Sequence, residues 1–402
     1  AKLRSVHVGP KVSAQGLFAA FARTPLLESI DVDDANQNYQ SLDGVLYTKG
    51  LTHLATYPEA KNAGGSYAIA EGTSTIDEGA FTSAQITSVT LSSTLRRVEK
   101  AAFASSQVTS LTLPDGFESM DDMAFWYMPK LERVDLGGAT AVSDSAFRYD
   151  KALTEVNFRP DLGRLTSVED YAFEAAPITS VTVPDSVTSI GKFAFSDNSY
   201  LTRVHLGSGL TEVGARVFTG STALASLSLD PSNPVLSLDG SVLYQQRDDG
   251  CHLVYAAVAA PMPAYSVRPG TVQIDEAAFK GHATLREVVV PEGVKTIGTD
   301  AFAEIPELTD VALPDSLEEV ADAFAGTRIE TIEFGARTRT IEEAAFTGSL
   351  PIRMIVRGGK DGAFASPEEW VPNHTASAFF GEGMKRIAYT HGNFPQTLVV
   401  PS

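Results

Sequence analysis

Ile178-Thr-Ser-Val181-Thr-Val183-Pro184-Asp185, continued by Val187-Thr-Ser-Ile190-Gly191 and then Ala194-Phe195, is the stretch that decides the fold. Its first block alternates apolar and polar residues through Val181 and Val183, as a half-buried strand does. Pro184-Asp185 is turn chemistry, because proline brings no N–H and ends a hydrogen-bonded ladder. Val187 to Ile190 reads as a second short extended piece. Ala194-Phe195 reads as a turn or a single helical turn, in which the small alanine allows close approach and the phenylalanine fills the interior.

The pattern recurs. A small residue followed by phenylalanine stands at Phe81, Phe103, Phe125, Phe147, Phe173, Phe195 and Phe218, and again at Phe279, Phe302, Phe324 and Phe346; Ala20-Phe21 is an earlier member. Successive steps are mostly 22 or 23 residues, and the single step of 26 reads as a small loop insertion over Arg159 to Arg164. One such unit cannot bury its own apolar side, whereas stacked units lay each Leu, Val, Ile and Phe against its equivalent one coil away. The phenylalanines are therefore expected to form a column in the core.

The Leu-x-x-Val-x-Leu-Pro…Ile-Gly-x-x-Ala-Phe unit resembles the BspA-like leucine-rich repeat, also called the Treponema-type, of bacterial surface proteins and some protists. The resemblance covers about residues 3–349. It implies a right-handed solenoid with a parallel sheet, and the fold expected is a β-rich α/β repeat solenoid of coils about 22 residues long. Several copies depart from the Leu-Pro turn, as at Leu136-Gly137 and Phe334-Gly335, and still supply turn residues. Residues 350–402 are irregular and are expected to cap the stack, with strands over Ile352–Val356, Arg386–Tyr389 and Leu398–Val400.

Two intervals of about 60 residues interrupt the period and match each other. Ser41-Leu-Asp-Gly44 answers Ser237-Leu-Asp-Gly240, and Val45-Leu-Tyr47 answers Val242-Leu-Tyr244 one residue later. Each insert, about residues 33–74 and 230–272, reads as a β-hairpin, with Lys49-Gly50 and Asp249-Gly250 as the turns. They either widen the solenoid or project toward a partner.

The composition fits such a stack. The 402 residues would suggest two or three globular domains at roughly 150 residues each, but a repeat needs only one linearly growing core. Fifty Asp+Glu against 31 Lys+Arg give a formal net charge of −19, which disfavours nucleic acid and anionic membrane surfaces. The single cysteine, Cys251, excludes an internal disulfide and any multi-cysteine metal site. No apolar run approaches a membrane span. The missing initiator Met suggests a mature or trimmed fragment, so that a leader or anchor would lie outside it.

Catalytic patterns do not emerge. There is no Gly-x-Ser-x-Gly elbow, phosphate-cradling Gly-Lys-Ser/Thr loop or His-Glu-x-x-His. His53 and His252 occupy matching hairpin positions and read as repeat features; Cys251 reads as a strand residue facing a small core. Asp31, Asp33, Asp34, Asn36 and Asn38 form an oxygen-rich loop that either binds Ca²⁺ or is simply solvated, although its spacing fails the Ca²⁺-loop pattern. Acidic pairs at Asp121-Asp122, Glu318-Glu319, Glu342-Glu343 and Glu368-Glu369 read as solvated edges. Asn373-His-Thr375 matches a glycosylation sequon. No cofactor and no metal are expected.

Two candidate binding surfaces remain. Outward strand positions carry Thr and Ser in several coils, but the central ones present Glu132, Arg133 and Asp135, then Glu155 and Asn157, and later Arg203 and His205. Trp126 and Tyr127 follow Phe125 where several other coils have Ala, Thr or Ser, and either cover a coil edge or anchor a partner. Trp370 falls in the irregular C-terminal part. The family resemblance implies a non-catalytic, secreted or cell-surface protein that adheres to a protein or another extracellular or cell-surface macromolecule. The alternatives are a structural spacer without a specific ligand, or a glycan-directed enzyme with unrecognised carboxylates.

Overall fold

The computed structural model describes residues 2–13, 21, 23–335 and 337–349, together with strands at Arg353–Val356, Ser377–Phe380 and Thr397–Val399. Arg386–Tyr389, Trp370, Glu368-Glu369 and the Asn373 sequon lie outside the described residues. The chain divides into two compact units, the first formed by Ala1–Ser221 with Asp230–Ser232 and the second by Thr222–Leu229 with Asn233–Ser402.

Each unit is a β-solenoid whose coils present two short strands and one turn. In the first unit Ser110–Thr112 pairs parallel with Arg133–Asp135, and that strand with Glu155–Asn157. The register places Leu111 against Val134 and Val134 against Val156, while the flanking polar residues point outward. The second strands stack likewise, from Ala141–Val142 through Ser167–Val168 and Ser189–Ile190 to Glu212–Val213. With a period of two, one apolar residue between two polar ones is enough to fix which face is buried.

The Ala-Phe segments correct the expectation of an α/β fold. Among the described residues the one complete helical turn is the 3-10 turn Glu343–Phe346. From Phe81 to Phe302 a helix is prevented because the residues two before and two after each column phenylalanine take left-handed backbone angles, for example Ala101 at φ 53 and Ser105 at φ 60 around Phe103. Alternate N–H groups therefore turn out of the coil. Ala102, Ala104 and Ser106 donate three residues back to Glu99, Ala101 and Phe103, while Ala101, Phe103 and Ser105 donate to the carbonyls of Asp122, Ala124 and Trp126 in the next coil. The same direction repeats from Tyr57 to Asp197 in the first unit and from Ala256 to Gly326 in the second.

The phenylalanine column is the centre of both cores. In the first unit Tyr57, Phe81, Phe103, Phe125, Phe147, Phe173, Phe195 and Phe218 stack with centroids 4.7 to 6.0 Å apart. In the second, Phe279, Phe302, Phe324 and Phe346 stack at 5.1 to 5.5 Å. All are buried. The spacing follows from the distance between parallel strands, about 4.8 Å, which leaves face-to-face stacking as the geometry that repeats.

Each long interval holds three antiparallel strands that lead into the parallel sheet of its unit. Tyr39–Leu42 pairs with Val45–Thr48, and that strand with His53–Thr56, which continues parallel to Thr75–Ile76. Leu236–Asp239, Val242–Arg247, Gly250–Ala256 and Thr271–Ile274 repeat the order. The first strand of each trio is additional to the hairpin read from the sequence. In the first insert it is joined to the second through a tight turn in which Asp43 and Gly44 have φ 50 and 70, the angles of a two-residue type I′ loop. Tyrosine pairs brace both inserts, with hydroxyl contacts of 2.8 Å between the buried Tyr47 and Tyr67 and 2.7 Å between the buried Tyr244 and the half-buried Tyr265.

Candidate functional site

The outward strand positions of the first unit bring four of the expected residues together. Register sets Arg133 opposite Glu155 and Asp135 opposite Asn157. Arg133 Nε donates to Glu155 Oε2 at 2.7 Å, and Asn157 Nδ2 to Asp135 Oδ2 at 2.7 Å. Glu132 precedes Arg133 and is exposed. Arg203 and His205 are set apart, since their strand Arg203–Leu206 pairs with Ser180–Thr182 and faces Ser180 and Thr182.

Sequence reasoning missed the organiser of this face. Arg159, at the start of the loop insertion, reaches Asp115 at 2.8 Å, Asp135 at 3.4 Å and Asp161 at 2.9 Å. Its guanidinium pKa is raised by hydrogen bonds to Asp161 and Asp115, and the Asp161 carboxyl is held below its ordinary range by the same contact. Much of the mixed charge on this face is therefore paired within the face itself.

The turn side of the same unit carries the aromatic group. Trp126 and Tyr127 have ring centroids 5.5 Å apart at 37°, and Tyr127 is 48% exposed. One coil on, the Arg148 guanidinium lies between the rings of Tyr149 and Tyr171, at 4.8 and 4.5 Å. Arg148 also pairs with the buried carboxylate of Glu174 at 2.5 Å. Tyr171 stacks on Phe193 at 5.0 Å, and Arg216 stands 5.9 Å from the Phe193 ring.

These side chains occupy costly backbone positions. Met123, Tyr127, Tyr149, Tyr171 and Phe193 stand two residues before or after a column phenylalanine, with φ between 54 and 64. Glycine fills equivalent places at Gly79, Gly220, Gly281, Gly326 and Gly348. A left-handed angle costs a non-glycine residue about 1–2 kcal/mol. Trp126 and Tyr127 were recognisable as unusual; Tyr149, Tyr171 and Phe193 share their offset from the column, which is the signal that would have found them.

The candidate catalytic and metal groups are engaged elsewhere. His53 Nδ1 meets Asp77 Oδ1 at 2.8 Å, and its counterpart His252 Nδ1 meets Asp275 Oδ1 at 2.9 Å. The other ring nitrogen of His252 contacts Asp249 Oδ1 at 2.9 Å, where a nucleophile would have to stand. Burial pushes the Cys251 thiol pKa up, the opposite of nucleophile activation. In the Asp33–Asn38 loop, Asp33 Oδ1 accepts the Ala35 N–H and Asn36 Oδ1 accepts those of Asn38 and Tyr39. Asn36 also donates to the carbonyls of Gly9 and Val12, so it is a strut. Among the described residues no group of three or more His, Cys, Asp or Glu side chains is placed to hold a metal ion, and no helix is long and apolar enough to cross a membrane.

The coil geometry agrees with the family comparison. The profile of the BspA type leucine rich repeat region matches residues 65–167, 166–245 and 270–357, in six copies. The chain is a BspA-type leucine-rich repeat protein. Among solved structures, this BspA-type chain is similar to a leucine rich cell surface protein from Faecalibacterium prausnitzii A2-165 at 17% identity, over 93% of this chain and 83% of that one, with a TM-score of 0.51. It is similar to the pneumococcal vaccine antigen PcpA at 18% identity over 86% and 82%, TM-score 0.51. A leucine-rich repeat protein from Bacteroides ovatus ATCC 8483 shares 21% identity over 80% and 85%, TM-score 0.52. At these identities the likeness is one of fold. No curated protein matches the sequence.

Proposed function

We propose that this BspA-type protein is a non-catalytic recognition scaffold, secreted or held at a bacterial cell surface, that adheres to a protein or another extracellular macromolecule through the turn face of its first unit. The observation that carries the reading is the set Met123, Tyr127, Tyr149, Tyr171 and Phe193, kept large where glycine would be less strained. Tyr, Trp and Arg dominate binding hot spots, and backbone strain concentrates at functional sites. The description of one structural relative as a cell surface protein supports the location.

The test couples binding to stability. The whole chain is immobilised and exposed to host and bacterial extracellular material, beside a Met123→Gly/Tyr127→Gly variant. Glycine relieves the left-handed strain, so the variant should melt no lower than the parent and yet lose the captured partner. Retained capture refutes the turn face. Charge reversal at Arg133 and Arg203 asks the same of Glu132, Arg133, Asp135, Glu155, Asn157, Arg203 and His205. A spacer without a ligand is favoured by the internal pairing of Arg133, Glu155 and Arg159, and predicts capture by neither face. Turnover on a glycan panel would overturn the non-catalytic reading.

A further inference from the structure

The second unit carries a groove of about 670 Å³ on its outward strand face, between Glu287–Val289, Asp310–Ala312 and Thr331–Phe334. Five carboxylates line it, from Glu287, Glu292, Asp310, Asp315 and Glu333, and among the described residues no lysine or arginine does. Register places Glu287 directly opposite Asp310 and Val289 opposite Ala312. Val289 is 40% exposed, an unusual position for a large apolar residue in this chain.

This arrangement inverts that of the first unit, where the corresponding cross-strand pair is Arg133 against Glu155. Like charges directly opposite one another destabilise a sheet. Arg286, beside Glu287 in the chain, does not relieve them, since it reaches Glu307 at 3.3 Å. Glu292 accepts the N–H groups of Asp315 and Ser316 at 2.8 and 3.2 Å, which fixes its carboxylate at the rim. The face thus offers one row of opposed carboxylates beside one apolar row.

We propose that this groove docks an extended, lysine- or arginine-bearing segment of a partner protein. The basic side chains span the Glu287/Asp310 row and the apolar ones between them cover Val289 and Ala312. Charge complementarity selects the occupant, and the partner relieves the repulsion that the free protein bears. The inference concerns the second unit alone and stands independently of the turn-face reading.

The experiment uses the full chain and a dye-labelled synthetic peptide of alternating lysine and valine, followed by fluorescence anisotropy. A Glu287→Gln/Asp310→Asn variant should bind at least about tenfold more weakly and a Val289→Ser variant about threefold more weakly, with binding weakened by salt. Without peptide, the double variant should melt no lower than the parent, because the repulsion is gone. A control with equal charge change on another face, Glu78→Gln/Asp122→Asn, should bind as the parent does. Equal loss in the control would show attraction to the net negative charge alone and overturn the proposal. So would unchanged affinity in the double variant, or equal binding of a glutamate–valine peptide.

Discussion

Replacing Asp150 by asparagine should stabilise the first unit at neutral pH. Asp150 lies three residues beyond Phe147 and is fully buried. One of its oxygens accepts the Met128 N–H at 2.6 Å, and the other has no hydrogen-bond partner. Burial raises its pKa well above the carboxylate range. The favourable contribution of a group raised in this way is fully present below its unfolded pKa and is lost as pH rises through the folded one. At pH 7 the carboxyl therefore costs the fold free energy relative to a side chain that does not titrate. Asn198, three residues beyond Phe195, shows how an amide uses the same place. Its Nδ2 donates to Phe173 O at 2.9 Å and Ser196 O at 3.1 Å. The matching carbonyls around position 150 belong to Phe125 and Arg148. Two such bonds contribute about 2 kcal/mol at about 1 kcal/mol each. For a unit of this size that raises the melting temperature by about 4–8 °C. Calorimetry at pH 7 and pH 4 measures it, and the gain should shrink at pH 4, where the native carboxyl carries a proton. A lower melting temperature at pH 7, or the same gain at both pH values, would refute the reasoning.

Phe195→Ala, in the middle of the stacked column, should cost about 3–5 kcal/mol by removing a buried aromatic whose neighbours cannot collapse into the gap, and an unchanged denaturant midpoint would contradict the stacked core. His282 is buried and its pKa is lowered by burial from 6.5 to about 4. Its contribution is present above pH 6.5 and lost as pH falls toward 4, about 3 kcal/mol in all. Urea midpoints at pH 7 and 4.5 should show this loss, and His282→Thr, which copies Thr327 at the same place in its coil, should flatten it. Thermal melting with and without EDTA should coincide, because the Asp33 and Asn36 oxygens are occupied by backbone N–H groups.

The column was legible in the sequence because one aromatic per coil at a near-constant step has no other physical home. The backbone of the turns was not. Left-handed angles leave a trace only where glycine takes them, as at Gly79 and Gly281, and Met123, Tyr149 and Phe193 give no such sign. The extra hairpin strand has its signal in Asp43-Gly44 and Asp239-Gly240, but the turn glycines Gly50 and Gly250 give an equally good signal a few residues on. On the strand face, the pairing of Arg133 with Glu155 follows from their separation of one coil. The bridging by Arg159 does not, since the loop that carries it breaks the period.

The ladder of turn hydrogen bonds gives each stack an electrical direction. Parallel strands alternate their bonds forward and back, as when Thr109 donates to Thr87 and Leu113 to Asp135, so their dipoles largely cancel. In the turn ladder every N–H that crosses between coils points toward the next one, from Ala101, Phe103 and Ser105 onward. The peptide dipoles add along the stack as they do along an α-helix, but with the opposite sense relative to the chain. The leading coil of such a ladder presents carbonyl oxygens, and the trailing coil presents N–H groups. A coil is therefore a polarised part, able to accept a successor and a predecessor but not to exchange them, and anions are favoured at one end of the ladder and cations at the other.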